Sequence, residues 1–592
     1  MTRFVIVITL VAAVAAFATG QAPDQLWTYS AITPWGGYTW DVIELAGCGY
    51  AVTGQYSQFG YPMGHDDALL IRLNASGQAL WSKTYGSTSY SESIRAVRVC
   101  PEGFALAGNT SEAGGDFWQL FVSVNGDSLW ARRHGGAGSE LCRSMQRTVD
   151  GGYILAGNTN SFGSGVPNGW VIKTNSTGDS VWSCAFGTDY EDELWAVQQT
   201  ADGGYSLSGI LGLSSPAHSD GWLIRLNANG DSLWTRTYGT GDYEGFRALD
   251  VTSDGGFVMA GYQALSPDYH TKMWLVRTDA DGDTLWTRKF GGIYYEDCYS
   301  VEQASDGGFI LAGWTSSYGV GNYDWWMVRV NADGDSLWST TYGDVYQNQA
   351  WLMRQTSDSG FVATGFLSGQ NSVVKYGYRS PQISSITDVG NDQGRQVRLR
   401  WERSAFDSPC DTITVTGYSI YRRIDQYFQR DVPRARRASL DWPPGEWEYV
   451  AHVPARGEQR YAAIAPTLAD STSEGIYWST FFVSAETSNP LIYYDSAPDS
   501  GYSKDNLPPD ETIVVAMLQP TPLGILLSWE PVTSGGGGQP EQGEVWYHVY
   551  GSEDPEFVPG PATLLHVTQD TQYLHPGLYG RYLYVVTVSD DD

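Results

Sequence analysis

The chain has 592 residues, with 35 Lys plus Arg against 66 Asp plus Glu, a formal charge of -31 at pH 7. That length allows several domains and excludes a single small one. The charge excludes a surface for nucleic-acid phosphates, since the sequence offers no basic patch against it, and 17% charged residues beside 14% aromatics and 69 glycines exclude disorder and coiled coil.

In chain order, Arg3 precedes an apolar run from Phe4 to Phe17 broken only by Thr9, and Ala18-Thr19-Gly20 follows with small residues. The pattern predicts a secretory signal over 1–20, too short to cross a bilayer, and a secreted, extracellular or cell-surface location for the rest. No later stretch is long and apolar enough to be a transmembrane helix. Six cysteines follow without metal-ligand spacing; Cys48 and Cys100 fall near corresponding turns of successive repeats and could bridge, the alternative being small buried thiols.

From there to about residue 379 the sequence repeats. A Leu-Trp or Val-Trp pair ends at Trp27, Trp81, Trp130, Trp182, Trp234, Trp286 and Trp338, about every 52 residues, and a glycine turn followed by an aromatic recurs at the same period. Within the unit 242–290, runs rich in β-branched and aromatic residues (Phe246 to Thr252, Phe257 to Gly261, Met273 to Asp279, Thr284 to Phe290) alternate with tight turns, which predicts one four-stranded antiparallel sheet. Repetition of such a unit predicts an all-β fold, a seven-bladed β-propeller over 21–379. The chain enters on a fourth-strand sequence at Trp27 and the last unit stops after its third strand, Ser372 to Tyr376. The N-terminal strand is therefore expected to complete the last sheet and close the ring.

The motif Gly126-Asp127-Ser128-Leu129-Trp130, repeated at 178–182, 230–234, 282–286 and 334–338 with a looser copy at 77–81, resembles the tryptophan-docking motif of the quinoprotein-like propeller superfamily. The whole unit is similar to repeats of secreted bacterial and archaeal propeller proteins. The resemblance implies docking roles for the seven tryptophans and no cofactor: quinone-dependent dehydrogenases usually have eight blades, and those of the methanol-oxidising type carry adjacent cysteines, whereas this chain has seven units and no such pair.

Beyond Tyr378 the period stops. Strands at sandwich spacing, with Val397 to Glu402 matched by Ile525 to Glu530 and Tyr418 to Tyr421 by Tyr547 to Tyr550, resemble two fibronectin type III modules over 380–507 and 508–592. Trp401 and Trp529 would be their buried rings, and Ser534 to Gly538 a mobile loop. The second module ends on Arg581 to Ser589 and three aspartates, so its last edge strand is expected to be missing.

Strand directions put the tight Asp-Gly-Gly and Gly-Asp turns on one face of the propeller and the long loops on the other, where binding is expected. On that face a carboxylate recurs between units: Glu92, Glu140, Asp192, Glu244 and Glu296, with Asn348 in the seventh. These are candidate ligand-facing groups at the channel mouth, for a cation, a sugar hydroxyl or a glycoside-cleaving pair. The alternative is that a repeated residue does a repeated job, accepting backbone hydrogen bonds where the inner strand begins. His218 and His270 with Asp220 or Asp268 lack a third ligand at zinc spacing, and the hairpin at 279–283 lacks the terminal glutamate of a calcium loop. The functional expectation is a non-enzymatic binding or adhesion scaffold for a glycan or an extracellular protein; the competing one is a polysaccharide-active enzyme using the mouth carboxylates.

Overall fold

The computed structural model describes residues 22–31, 37–46, 49–57, 65–215, 218–240, 242–265, 270–304, 306–389, 395–407, 414–424, 443, 445–471, 476–504, 514–520, 523–529, 531, 534–535, 539–540, 546–552, 563–576 and 583–589. The expected signal, Cys48 and its bridge to Cys100, Asp268 and the terminal aspartates lie outside the described residues. Among those described, every regular element is a strand except a 3-10 turn at Glu112–Gly114, and no helix is long and apolar enough to cross a membrane. The chain divides into two compact units, Met1–Gly377 with Cys410–Thr412, and Tyr378–Pro409 with Ile413–Asp592.

The first unit contains seven four-stranded antiparallel sheets among its described residues. In the fifth, the strands Glu244–Val251, Phe257–Leu265, His270–Thr278 and Thr284–Phe290 pair in chain order. Its first turn is fixed by Asp254, which accepts hydrogen bonds from Thr252 Oγ1 (2.6 Å) and Gly256 N–H (3.2 Å) and pairs with Arg277 at 2.6 Å. The Arg277 side chain is buried in the third strand, so the turn aspartate also answers a cation that would otherwise be desolvated alone. Lys173 with Asp150, Arg225 with Asp202, Arg329 with Asp306 and Lys375 with Asp358 repeat the device.

The core lies between sheets. Phe117, Phe121, Tyr153 and Trp170 fill the interface of the second and third sheets, and Met273, Phe309 and Trp326 that of the fifth and sixth. Equivalent clusters join every consecutive pair, including the seventh with the first through Val362, Val373, Val42 and Val52. The packing is therefore cyclic, the arrangement of a β-propeller. The docking tryptophans are half-buried, and each ring of the first six lies on the turn glycine of the next unit: Trp27 on Gly77, Trp81 on Gly126, Trp130 on Gly178, Trp182 on Gly230, Trp234 on Gly282, Trp286 on Gly334. Trp338 packs against the core cluster between the sixth and seventh sheets.

The seventh sheet joins the two ends of the unit. Asp24–Ala31 pairs antiparallel with Gln370–Gly377, Trp27 opposite Lys375 and Tyr29 opposite Val373. Tyr342 donates its hydroxyl to Pro23 O at 2.9 Å, the contact that Tyr85 makes to Gly126 O (2.8 Å) and Tyr238 to Gly282 O (2.6 Å).

In the second unit, the sheet Gln382–Asp388, Gln396–Glu402, Arg460–Pro466 packs on a sheet built on Val415–Arg423 and Ser479–Thr487, around a core containing Trp401, Tyr418 and Phe481. Asp407 accepts both the Tyr418 (2.8 Å) and Tyr461 (2.7 Å) hydroxyls. A second pair of three-stranded sheets follows, with Leu527, Trp529, Tyr547 and Val549 at its centre; there Leu583–Ser589 pairs only with Trp546–Ser552 among the described residues. Of the loop expected at 534–538, Ser534–Gly535 pairs with Gln539–Pro540, and 536–538 lie outside the described residues.

Candidate functional site

The repeat carboxylates, expected at the channel mouth, are enclosed in the ring's own hydrogen bonds. Glu92, Glu140, Asp192, Glu244 and Glu296 are all buried, each at or just before the first residue of an inner strand. Glu92, Glu140 and Glu296 stand opposite a threonine of the second strand and accept its hydroxyl: Thr110 at 3.3 Å, Thr159 at 2.8 Å, Thr315 at 3.2 Å. Glu244 stands opposite Gln263 and accepts from its amide (3.0 Å) and from Thr240 N–H (3.0 Å). Asp192 accepts from Thr188 N–H (2.5 Å) and Gly212 N–H (2.8 Å), and Lys272 adds an ion pair to Glu296 at 3.1 Å. Glu92 and Glu140 also accept from Ser87 and Gly136 N–H, so that these two, Asp192 and Glu244 each tie the loop entering a sheet to that sheet's second strand. Burial pushes the Glu92 and Asp192 carboxyls above their ordinary values.

Three residues further along each strand the repeat loses its likeness, and there the sequence reading missed the site. All seven inner strands carry a β-bulge at this point, and the residue skipped in each ladder is Trp40, Arg95, Arg143, Trp195, Arg247, Tyr299 and Trp351 in turn. A bulge re-aims its extra side chain, and all seven line one cavity of about 380 Å³ bounded by the inner strands. Arg95 stacks on Trp40 and Arg143 on Trp195, each 3.7 Å from the ring centroid, and Arg247 lies 4.4 Å from Trp195 and 4.6 Å from Tyr299. Tyr299 meets Trp351 at 5.1 Å and Trp351 meets Trp40 at 5.3 Å.

A second layer lies one turn of the pleat deeper. Gln146, Gln198, Asp250 and Glu302 accept hydrogen bonds from the backbone N–H of Gln199, Val251, Gln303 and Gln355, and Asp41 accepts that of Val97. Inner strands are sheet edges, so these side chains satisfy donors that would otherwise face the channel unpaired. Asp41 also pairs with Arg98 (2.8 Å) and Arg354 (3.2 Å). Burial alone would raise its carboxyl, but the two guanidiniums hold it below the ordinary range. Five arginines therefore converge in the channel, a basic cluster the sequence concealed because its members come from four separate repeats. Burial and the neighbouring Arg143 charge bring Arg95 down to about 10, and burial raises the Tyr299 hydroxyl to about 12.

On the loop face above, Tyr90, Tyr190, Tyr243, Tyr294, Tyr295, Tyr318, Tyr346 and Phe162 are exposed. A groove of about 350 Å³, lined by Tyr190, Glu191, His218, Tyr243 and Tyr262, reaches Arg247 from that side. His270 packs edge-on against Tyr295 at 4.7 Å, and no cluster of metal ligands forms among the described residues. Cys100, Cys142 and Cys298 are buried thiols.

No protein-family model matches the chain, and no curated protein matches it. Among solved structures, it is similar to Sqt1 from Chaetomium thermophilum at 10% identity and a TM-score of 0.36, over 64% of this chain and 84% of that one. It is also similar to the β-propeller domain of the Trilobed protease from Pyrococcus furiosus at 9% identity and a TM-score of 0.35, over 58% and 94%. A glucose dehydrogenase matches at 8% identity and a TM-score of 0.28, over 45% and 94%.

Proposed function

We propose that this is a secreted, non-enzymatic binding protein: a signal peptide over 1–20, a seven-bladed propeller that takes a glycan on its long-loop face, and two fibronectin type III-like modules that space it from a surface. The observation that carries the reading is the crown of exposed tyrosines around the loop face, above a channel lined by tryptophan and arginine. Rigid aromatic faces with a polar edge stack on sugar rings and hydrogen-bond their hydroxyls at small entropic cost. The five repeat carboxylates are buried in internal hydrogen bonds, each to the second strand of its own sheet, and this favours a scaffold's use of them over that of a general acid and base. Asp250 and Glu302 line the channel, but Gln146 and Gln198 do the same backbone capping in the sheets before them, so that role requires no proton transfer.

The test is to screen the secreted chain against glycans and polysaccharides for binding and for product release together. Saturable binding without shortened products is expected, and Tyr190→Ala with Tyr243→Ala should weaken it at least tenfold. Release of shorter sugars overturns the non-enzymatic reading.

A further inference from the structure

Around the ring of bulge residues six of the seven neighbouring pairs are closed by a stacking or cation–π contact: Trp40 with Arg95, Arg143 with Trp195, Trp195 with Arg247, Arg247 with Tyr299, Tyr299 with Trp351, and Trp351 with Trp40. The seventh junction brings together Arg95 and Arg143, two like charges. Arg247 is answered by Asp297 at 2.9 Å and Arg143 by Glu193 at 3.1 Å through Nη2, whereas Arg95 has no carboxylate within ion-pair distance among the described residues. Nε of Arg95 and Nε of Arg143 are both buried without an acceptor, and so are Nε1 of Trp40 and Nε1 of Trp351, whose residues line the same cavity. Four buried donors and an uncompensated guanidinium are costly unless something supplies acceptors.

We propose that a carboxylate binds between Arg95 and Arg143, so that the glycan taken on the loop face is one that ends in an acidic sugar. This rests on the glycan-binding reading above and names its ligand class. The chemistry selects the group. A carboxylate is acceptor-only and planar, matching donor-only partners and the fork of a guanidinium edge. A neutral sugar hydroxyl would bring a donor of its own into a cluster that has no acceptor for it.

The three carboxylates that share the cavity are already committed: Asp41 to Arg98 and Arg354, Asp250 to the Gln303 N–H, Glu302 to the Gln355 N–H. Asp250 and Glu302 sit three residues beyond the bulge residues of their own strands, about 10 Å along the strand, and Asp41 directly follows Trp40. A net charge of -31 opposes a long polyanion at a distance, so a single terminal carboxylate fits better than a run of them. The volume, about 380 Å³, is at the small end of the range of ligand clefts, roughly 300–1,000 Å³.

The test uses the full secreted chain with D-glucuronate, D-glucose, acetate and sulfate as probes, read by tryptophan fluorescence and calorimetry. Glucuronate should saturate at least tenfold more tightly than glucose, acetate or sulfate. Arg95→Met and Arg143→Met, with melting temperatures recorded, should each remove that preference while Arg288→Met on an exposed outer strand keeps it. Should the channel variants fail to fold, displacement of glucuronate from the wild-type chain by an oligosaccharide ending in glucuronate, and not by its neutral counterpart, supports the site independently. Equal affinity for glucose and glucuronate overturns the carboxylate site and leaves the glycan reading standing. Acetate or sulfate binding as tightly as glucuronate keeps an anion site and overturns the acidic sugar, and no saturation by any probe overturns the site outright.

Discussion

Two glycines of the fifth sheet offer a controlled measure of what tryptophan docking contributes. Gly255 and Gly282 occupy its two tight turns with nearly the same left-handed backbone, φ +86° and +81°. A Cβ at Gly255 would meet nothing within 4 Å, whereas one at Gly282 would lie 2.9 Å from Trp234 Cη2, 3.0 Å from Cζ3 and 3.1 Å from Arg236 Cγ. Gly255→Ala should therefore cost only the left-handed strain, about 1–2 kcal/mol. Gly282→Ala should cost that plus the displacement of a ring held between two sheets, about 1–3 kcal/mol more. The lower half of that range applies, because Trp234 is half-buried and can move outward. In a unit of this size the excess should appear as a melting temperature roughly 1.5–3 °C below that of Gly255→Ala, measured by calorimetry. In a Trp234→Ala background the two alanine variants should become equal, a double-mutant cycle with the docking contact as its coupling energy. Equal losses in the wild-type background would refute the argument, since the glycine would then be conformational only.

Tyr342→Phe should destabilise the first unit by about 1 kcal/mol, as Tyr238→Phe should between the fourth and fifth sheets, because each removes one part-buried hydroxyl bond between neighbouring sheets; an unchanged unfolding midpoint in urea for Tyr342→Phe would mean that Pro23 does not hold the ring closed. Glu244→Ala leaves the donors of Thr240 and Gln263 unmatched and should cost about 2–3 kcal/mol in the same assay, with glycan affinity changed less than twofold if the carboxylate is structural. Two carboxylates should respond to pH with opposite signs. Asp358 would be raised by burial but is held below its ordinary value by Lys375 at 2.8 Å, so its contribution is present above about pH 4 and lost as pH falls. Asp192 is pushed up by burial, so its contribution is greatest at low pH and lost as pH rises through its folded value. Thermal melts between pH 3 and 7 should show Asp358→Asn converging on the wild type as the solution is acidified, and Asp192→Asn gaining on it as pH rises.

The features legible in the sequence are those that the ring repeats. A leucine-tryptophan pair every 52 residues, a turn aspartate and a glycine two residues before the last strand each do one job seven times or nearly so, and repetition makes them visible in a single chain. The carboxylates were visible for the same reason, and their burial could have been read from a second regularity: Glu140 and Glu296 each have a threonine nineteen residues on, which the ladder places directly opposite. The channel residues were not legible. Alternation along an inner strand assigns faces only while the register holds, and each of these strands skips one residue three positions after its carboxylate. Counting by twos from Glu140 puts Arg143 on the wrong face.

The same skip explains how a symmetric frame comes to hold an asymmetric centre. Every inner strand is a sheet edge, and in the fourth to seventh sheets one of its donors is capped from the preceding sheet by whichever acceptor stands in the second layer, Gln146 and Gln198 doing for their neighbours what Asp250 and Glu302 do for theirs. Capping requires an oxygen and is indifferent to charge. The bulge residue one layer above takes no part in the ladder at all, so neither sheet pairing nor inter-sheet packing restricts it to one residue type. Composition at both channel layers is thus released from the constraints that make the rest of the ring repeat, and those layers are where the seven units differ most in chemistry: guanidinium beside guanidinium at Arg95 and Arg143, aromatic beside aromatic at Trp351 and Trp40. A ring required only to stand would have had no reason to place its two like charges together and leave the Nε donor of each buried without an acceptor.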